Sequence, residues 1–279
     1  MNAWPQLQRK VHGVDQAGLT LVELLVAMAL TAVVGLAAVA TLSLSRQGFG
    51  SLDGAAQLRD NARFASTLLQ QAAAQAGYKD LYDATYGSTQ TIARAQQSTP
   101  LFVEGADASS LSSSASYEPD DAIHDSDVLV LRAMPSAKYE LIEQRDSETE
   151  GSDTQGVSDQ ALVNCLGHAT SSAPSSVDDT IVSYFYVRQE SGDGEPALYC
   201  GAYSGNGSFV TQSLIRGVET LQVLYGVNTS DDPNTLDEES SFQLKNASQI
   251  SGPSQWRQVR SIRIGMVLRS SPLSMDTQA

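Results

Sequence analysis

Two cysteines and three histidines are all the thiol and imidazole groups in 279 residues. They do not supply the paired ligand spacings of a structural zinc site, so no metal is expected. There is no Gly-x-Ser-x-Gly elbow and no phosphate-binding glycine loop. His124 and His168 stand isolated in polar surroundings, which points away from a membrane-anchored enzyme and away from a cofactor. Cations are scarce as well. Seventeen Lys and Arg face 32 Asp and Glu, for a formal charge of −15. A nucleic-acid surface needs clustered cations to displace counterions, so no nucleic-acid partner is expected. Such acidity fits a soluble, exported body.

Against these absences stands one long apolar run from Leu19 to about Leu44, broken by Glu23 and by hydroxyls at Thr20, Thr31, Thr41 and Ser43. A helix that spans a bilayer needs about 20 mostly apolar residues, so the run is long enough. A cleaved secretory signal has a shorter apolar stretch, roughly 7–15 residues, with its small-residue site behind it. Here the glycine and the basic pair Arg9-Lys10 precede the run. By the positive-inside rule the basic leader predicts a cytoplasmic N-terminus and a body beyond the membrane. Glu23 is the misfit. A charge inside an apolar span costs roughly 2.5–3.5 kcal/mol, which makes it a functional residue in need of a partner.

The helical period continues past the apolar run. Leu58, Ala62, Ala65, Leu69, Ala72 and Ala76 recur at steps of three and four, with Phe64 and Leu68 flanking, while Arg59, Asp60, Arg63, Gln70 and Gln71 take the other faces. This predicts an amphipathic helix with one face on a domain. Gly77 is the expected stop. Gly48, Gly50 and Gly54 predict a bend or local melting between the two halves.

After Gly77 the period changes. Residues 78–126, with the serine-rich run 109–116, read as surface loop. Strands are predicted at 128–133, 161–166, 181–189, 197–203, 209–215, 218–227 and 256–269, with acidic loops at 143–159 and 228–253. In the last strand Trp256, Gln258, Arg260, Ile262, Ile264, Met266 and Leu268 form the expected core face. Arg257, Val259, Ser261, Arg263, Gly265, Val267 and Arg269 form the outer one, its arginines expected to pair with nearby carboxylates. A helix packed on an antiparallel sheet makes the fold class α+β. Outside the cytoplasmic membrane, Cys165 and Cys200 read most simply as one disulfide. The cluster Asp231, Asp232, Asn234, Asp237, Glu238 and Glu239 offers oxygen ligands for calcium, but without EF-hand spacing it reads as solvated loop.

The segment Ala17-Gly18-Leu19-Thr20-Leu21-Val22-Glu23-Leu24-Leu25 resembles the class III signal of type IV pilins and pseudopilins. Further segments resemble the PilW family of minor type IV pilins: Asn61-Ala62-Arg63-Phe64-Ala65, Ala76-Gly77-Tyr78, Asn164-Cys165, Leu198-Tyr199-Cys200, the run 216–227, the run 256–264 and Leu268-Arg269-Ser270. The resemblance implies cleavage by a prepilin peptidase between Gly18 and Leu19, N-methylation of Leu19, and pairing of Glu23 with the terminal amine of a neighbouring subunit. It implies a cleaved leader over 1–18, a transmembrane and assembly half of the helix over 19–44, an amphipathic half over 45–77, and an extracytoplasmic β-rich body over 78–279. The implied role is structural: priming pilus assembly with other minor pilins and the major pilin, at or near the tip, with a tip adhesin as a further partner. The implied location is the bacterial inner membrane, then the pilus. The alternative is a minor pseudopilin of the GspJ type in a type II secretion system. The family pattern also leads one to expect a further C-terminal strand, where this sequence reads Asp276-Thr277-Gln278-Ala279.

Overall fold

The computed structural model describes residues 18, 20–79, 100–138, 157–170, 179–192, 194–228 and 242–270. The proposed leader, Leu19, most of the acidic loops, the candidate calcium cluster and the C-terminal residues lie outside them. The chain divides into two compact units, Met1–Asp53 and Gly54–Ala279.

Helix α1, Leu21–Gln75, belongs to both. The helix is unbroken through Gly48, Gly50 and Gly54, so the melting expected there does not occur. Each glycine weakens a helix by only about 1 kcal/mol. A new helix start within the run would carry a larger nucleation penalty. Past Gln75, Gly77 turns left-handed at φ 81° and donates its N–H to the Arg132 carbonyl at 3.0 Å, an ordinary glycine termination.

The body holds β1 (Val103–Ala106), β2 (Ser110–Leu111), β3 (Tyr117–Glu118), β4 (Val128–Ala133), β5 (Ala137–Lys138), β6 (Val157–Ser158), β7 (Ile181–Gln189), β8 (Pro196–Tyr203), β9 (Phe209–Arg216), β10 (Val218–Asn228), β11 (Phe242–Lys245), a short helix α2 (Gly252–Trp256) and β12 (Val259–Leu268). An antiparallel five-stranded sheet runs β1-β4-β7-β8-β9, and a three-stranded one runs β11-β10-β12. The pairs β2-β3 and β5-β6 stand apart. This is the expected α+β arrangement.

The chain passes from one sheet to the other at Gly217, which has φ 76°. Its N–H donates to the Pro196 carbonyl at 2.9 Å and its carbonyl accepts from Arg269 N at 2.8 Å. A Cβ at Gly217 would collide with the Arg269 carbonyl oxygen. Only glycine combines that φ with that approach.

The main core joins Ala65 and Leu69 of α1 with Leu129, Leu131, Phe185, Val187, Leu198 and Ile215 of the larger sheet and Leu221, Val223, Tyr225 and Val227 of the smaller. A second cluster, Leu111, Val128, Val130, Tyr184 and Tyr186, covers the other face of the larger sheet. Both faces of that sheet are therefore buried, which is why 128–131 is a continuous apolar run and does not alternate.

Other expectations fail for identifiable reasons. The serine-rich run is not all surface: Ser109 and Ser110 are buried, and β2 delivers Leu111 to the second cluster. Residues 161–166 form no strand, because the Asn164 side chain replaces a ladder partner. Its Oδ1 accepts from Leu166 N and His168 N, each at 3.0 Å. Residues 256–258 are not strand either. Trp256 ends α2 and sets its ring edge-on to Tyr225, centroids 4.8 Å apart. A register shift between Gly226 and Val227 then pairs Val227 with Val259. It turns Val259 inward and leaves Arg260 exposed, against the alternation read from sequence. The face reading holds for Ile262, Ile264, Met266 and Leu268.

Candidate assembly site

Thr20 sets where α1 begins. Its Oγ1 accepts the Glu23 backbone N–H at 3.3 Å and its carbonyl accepts from Leu24 N at 3.2 Å, which places Thr20 at the N-cap and Glu23 at the third helical position. Thr-x-x-Glu ahead of an apolar run is the capping-box spacing. Glu23 thus lies in the first turn, where unpaired N–H groups and the helix dipole favour a carboxylate. Sequence reasoning treated Thr20 only as an interruption of the apolar run. The spacing itself was the available signal.

Beyond that turn the surface is apolar and uncovered. Leu21–Arg46 is long and apolar enough to cross a membrane, and none of it is buried in the protein. Twenty-six residues at the usual rise span about 39 Å, more than the roughly 30 Å hydrocarbon layer. Two of the hydroxyls that interrupt the run, those of Thr31 and Thr41, are satisfied inside the helix. Thr31 Oγ1 donates to the carbonyls of Ala27 and Met28, at 3.0 and 2.9 Å, and Thr41 Oγ1 donates to that of Ala38 at 2.9 Å. They bring no unpaired donor into lipid. Glu23 is the only ionisable side chain between Leu21 and Ser45. Ala27, Ala29, Ala32, Gly35, Ala37, Ala38 and Ala40 supply small surfaces for close helix–helix approach.

Two family models match the sequence. Residues 14–39 match the prokaryotic N-terminal methylation motif, and residues 184–279 match the type IV pilus-assembly protein W family, PilW. The chain thus carries a C-terminal region similar to the PilW family behind a match to the N-terminal methylation motif. No curated protein and no solved structure matches it. The motif contains Gly18, Leu19 and Glu23. The PilW region opens within β7 and includes β8 to β12, with the Gly217 crossing. The similar segments 61–65, 76–78 and 164–165 lie outside both matches.

Within the body, Cys165 and Cys200 are disulfide-bonded, with their Cα atoms 6.1 Å apart. Cys200 belongs to β8 of the PilW region and is fully buried. Cys165 lies on the turn built around Asn164. That turn is also tied by Asn164 Nδ2, which donates to the Tyr203 carbonyl at 3.0 Å, and by Cys165 N, which donates to Ser183 Oγ at 3.0 Å. Side-chain hydrogen bonds here do the work that a ladder does elsewhere.

Two aspartates, Asp127 buried and Asp107 half-buried, fasten the larger sheet to its surroundings. Asp127 Oδ1 and Oδ2 accept from Ala108 N at 3.1 Å and Val223 N at 2.8 Å. Asp107 Oδ1 and Oδ2 accept from Ala247 N and Ser248 N, both at 2.8 Å. Burial pushes the Asp127 carboxyl above the usual carboxylate range, with the two N–H donors opposing the shift and Asp107 adding to it.

The arginines expected to pair internally do so unevenly. Arg269 Nε pairs with Glu219 at 2.5 Å, and the same carboxylate holds His124 Nδ1 at 3.1 Å. Arg260 instead donates to the Arg257 carbonyl at 2.9 Å. Among the described residues no group of three His, Cys, Asp or Glu gathers in metal-binding geometry.

Proposed function

We propose that this chain is a minor type IV pilin, an assembly subunit that helps prime the pilus and lies at or near its tip. The observation that carries this reading is the methylation motif at the head of a wholly uncovered apolar helix, in a chain whose C-terminal third matches the PilW family. A prepilin peptidase would cut between Gly18 and Leu19, and Leu19 would become the methylated terminus. Membrane helices gain little from hydrophobicity when they associate, because lipid already solvates their side chains. Close packing of small residues and polar contacts must drive the step. Glu23, one turn from the new terminus, would neutralise the amine of an incoming neighbour in the membrane. The domain scheme follows: leader 1–18, membrane half 19–44, amphipathic half 45–77, body 78–279. The basic leader supports a cytoplasmic N-terminus, and the disulfide supports an oxidising compartment for the body.

Deletion of the gene tests the role, scored by surface pili and by retraction. The expected result is a large loss of pili, restored by the intact gene. Normal piliation with normal retraction would remove the priming role. Loss of protein secretion with piliation untouched would favour the pseudopilin alternative.

A further inference from the structure

Asparagine is followed by glycine once in this sequence, at Asn206-Gly207. The pair lies at the tip of the hairpin that joins β8 to β9, the outer strand of the larger sheet, and both residues are exposed. Tyr203 and Phe209 close the hairpin, opposite each other in register with ring centroids 5.3 Å apart. Within the turn Ser204 N donates to the Ser208 carbonyl at 2.9 Å. Gly207, at φ 81°, donates its N–H to the Ser204 carbonyl at 2.8 Å.

Gly207 has no side chain to shield its own nitrogen, and no atom beyond its chain neighbours comes within 4 Å of the place a Cβ would take. That nitrogen can therefore reach the side-chain carbonyl carbon of Asn206 and close a five-membered ring. The folded turn holds the two groups back. The Gly207 proton is committed to the Ser204 carbonyl. Asn206 Oδ1 accepts from Ser208 N at 3.1 Å and from the Ser204 hydroxyl, which also reaches the Ser208 carbonyl at 3.0 Å. Every one of these bonds is local to residues 204–208, of the kind short polar side chains make in turns. An exposed tip held only by its own hydrogen bonds belongs to the part of a fold that opens most readily.

We propose that Asn206 is a self-modification site gated by this turn. When the turn opens, the Gly207 nitrogen gives its proton to solvent base and attacks the Asn206 side-chain carbonyl carbon. The new C–N bond closes a succinimide, the bond from that carbon to Nδ2 breaks, and Nδ2 leaves as ammonia with a proton from solvent. Water then adds to either imide carbonyl and opens the ring, to aspartate or to isoaspartate. Nothing is oxidised or reduced, and water is the co-reactant. Each event adds one negative charge at the hairpin tip, and the isoaspartate product also lengthens the backbone there by one carbon. The site belongs to the body and does not depend on how the membrane helix is used.

The test incubates the full-length chain in non-ionic detergent, in heavy-oxygen water at mildly alkaline pH, and follows each asparagine by peptide mass spectrometry. Asn206 should lose its amide faster than Asn61, Asn164, Asn228 and Asn246. Both aspartate and isoaspartate should appear at 206, labelled with heavy oxygen, at a rate that rises with pH. Ser204→Ala removes one partner of Oδ1 and loosens the turn. It should speed the loss by about threefold or more, the rate equivalent of one exposed hydrogen bond, and the urea-unfolded parent should react faster than the folded one. Asn206→Gln, whose longer side chain must close a larger ring, should keep its amide. Four results would overturn the proposal: loss at 206 no faster than at the other asparagines, aspartate without isoaspartate, a Ser204→Ala rate equal to or below the parent's, or no acceleration on unfolding.

Discussion

The two parts of α1 obey the same helical period and meet opposite fates. Between Leu21 and Asp53 the large apolar side chains are exposed, from 53% for Leu24 to 77% for Leu21. Between Gly54 and Gln75 the apolar stripe narrows to alanine and leucine, and Ala65 and Leu69 are 0% and 3% exposed. The difference lies in the distribution of polar residues. The second part carries Arg59, Asp60, Arg63, Gln70 and Gln71 on its remaining faces, so only one face needs cover. The first part is apolar all round and needs a surrounding, which a bilayer or packed neighbouring helices would provide. Amphipathicity marks a helix for a domain, and uniform apolarity marks one for a membrane. Phe64 tests the rule at its margin: expected beside the buried stripe, it is half exposed, because it lies too far round the helix to reach the sheet.

The sharpest way to break this contrast is at Glu23, the one charge of the apolar part. Glu23→Ala should leave cleavage and membrane insertion intact and cut incorporation into pili by roughly a hundredfold, the equivalent of leaving one charge unpaired in lipid. Immunoblots of sheared pili against whole membranes would read it. Unchanged incorporation would leave Glu23 as a helix-capping residue and no more.

On the body side, replacing both Cys165 and Cys200 by serine should destabilise by about 4 kcal/mol in the chain-entropy account of a loop of this length. Thermal unfolding with and without reductant measures it. A parent protein whose melting temperature ignores reductant would contradict the staple.

A paired leucine experiment addresses the helix itself. Leu69→Ala should cost the body about 2–5 kcal/mol, because it opens a cavity against the sheets. Leu36→Ala, at a site 72% exposed, should leave body stability unchanged. Equal effects would erase the distinction between the two parts.

Gly217→Ala should cost about 1–3 kcal/mol, from strain at positive φ together with the collision at the Arg269 carbonyl. Urea unfolding would show it, and a neutral substitution would mean that the crossing between sheets relaxes freely.

The smallest expected effect is a pH dependence. The folded Asp127 pKa is raised, so the native state holds its proton more tightly than the unfolded chain does. Its contribution to stability is full below the ordinary carboxylate pKa and is lost as pH rises through the folded value. The slope attributable to one group cannot exceed about 1.4 kcal/mol per pH unit. Asp127→Asn should remove that slope between acid and mildly acid pH, while lowering stability overall through a lost N–H acceptor. Parallel pH profiles for the parent and Asp127→Asn would reject the assignment.

How legible was this protein? Strands 128–133 and 181–189 are observed at the bounds read from sequence, because their apolar runs are long and closed by turn residues. β1 was missed: its four residues contain a glycine and a glutamate and show no period. Gly105 is there for close approach, since a Cβ would strike the Tyr225 hydroxyl, and a local sequence does not display such a contact. The turn at 161–166 looked like a strand because all of its residues but Asn164 are apolar, while the decisive group is that single asparagine side chain.

At the membrane end, Thr20 and Glu23 were both visible, but the capping relation between them became plain only once the helix start was fixed in space. The sequence by itself determined the motif, the apolar helix and the main strands, since each rests on neighbours within a few residues. Tertiary structure alone decided that the larger sheet is covered on both faces, and that a bulge turns Val259 in and Arg260 out. Those outcomes depend on contacts between distant segments, which neither periodicity nor composition encodes.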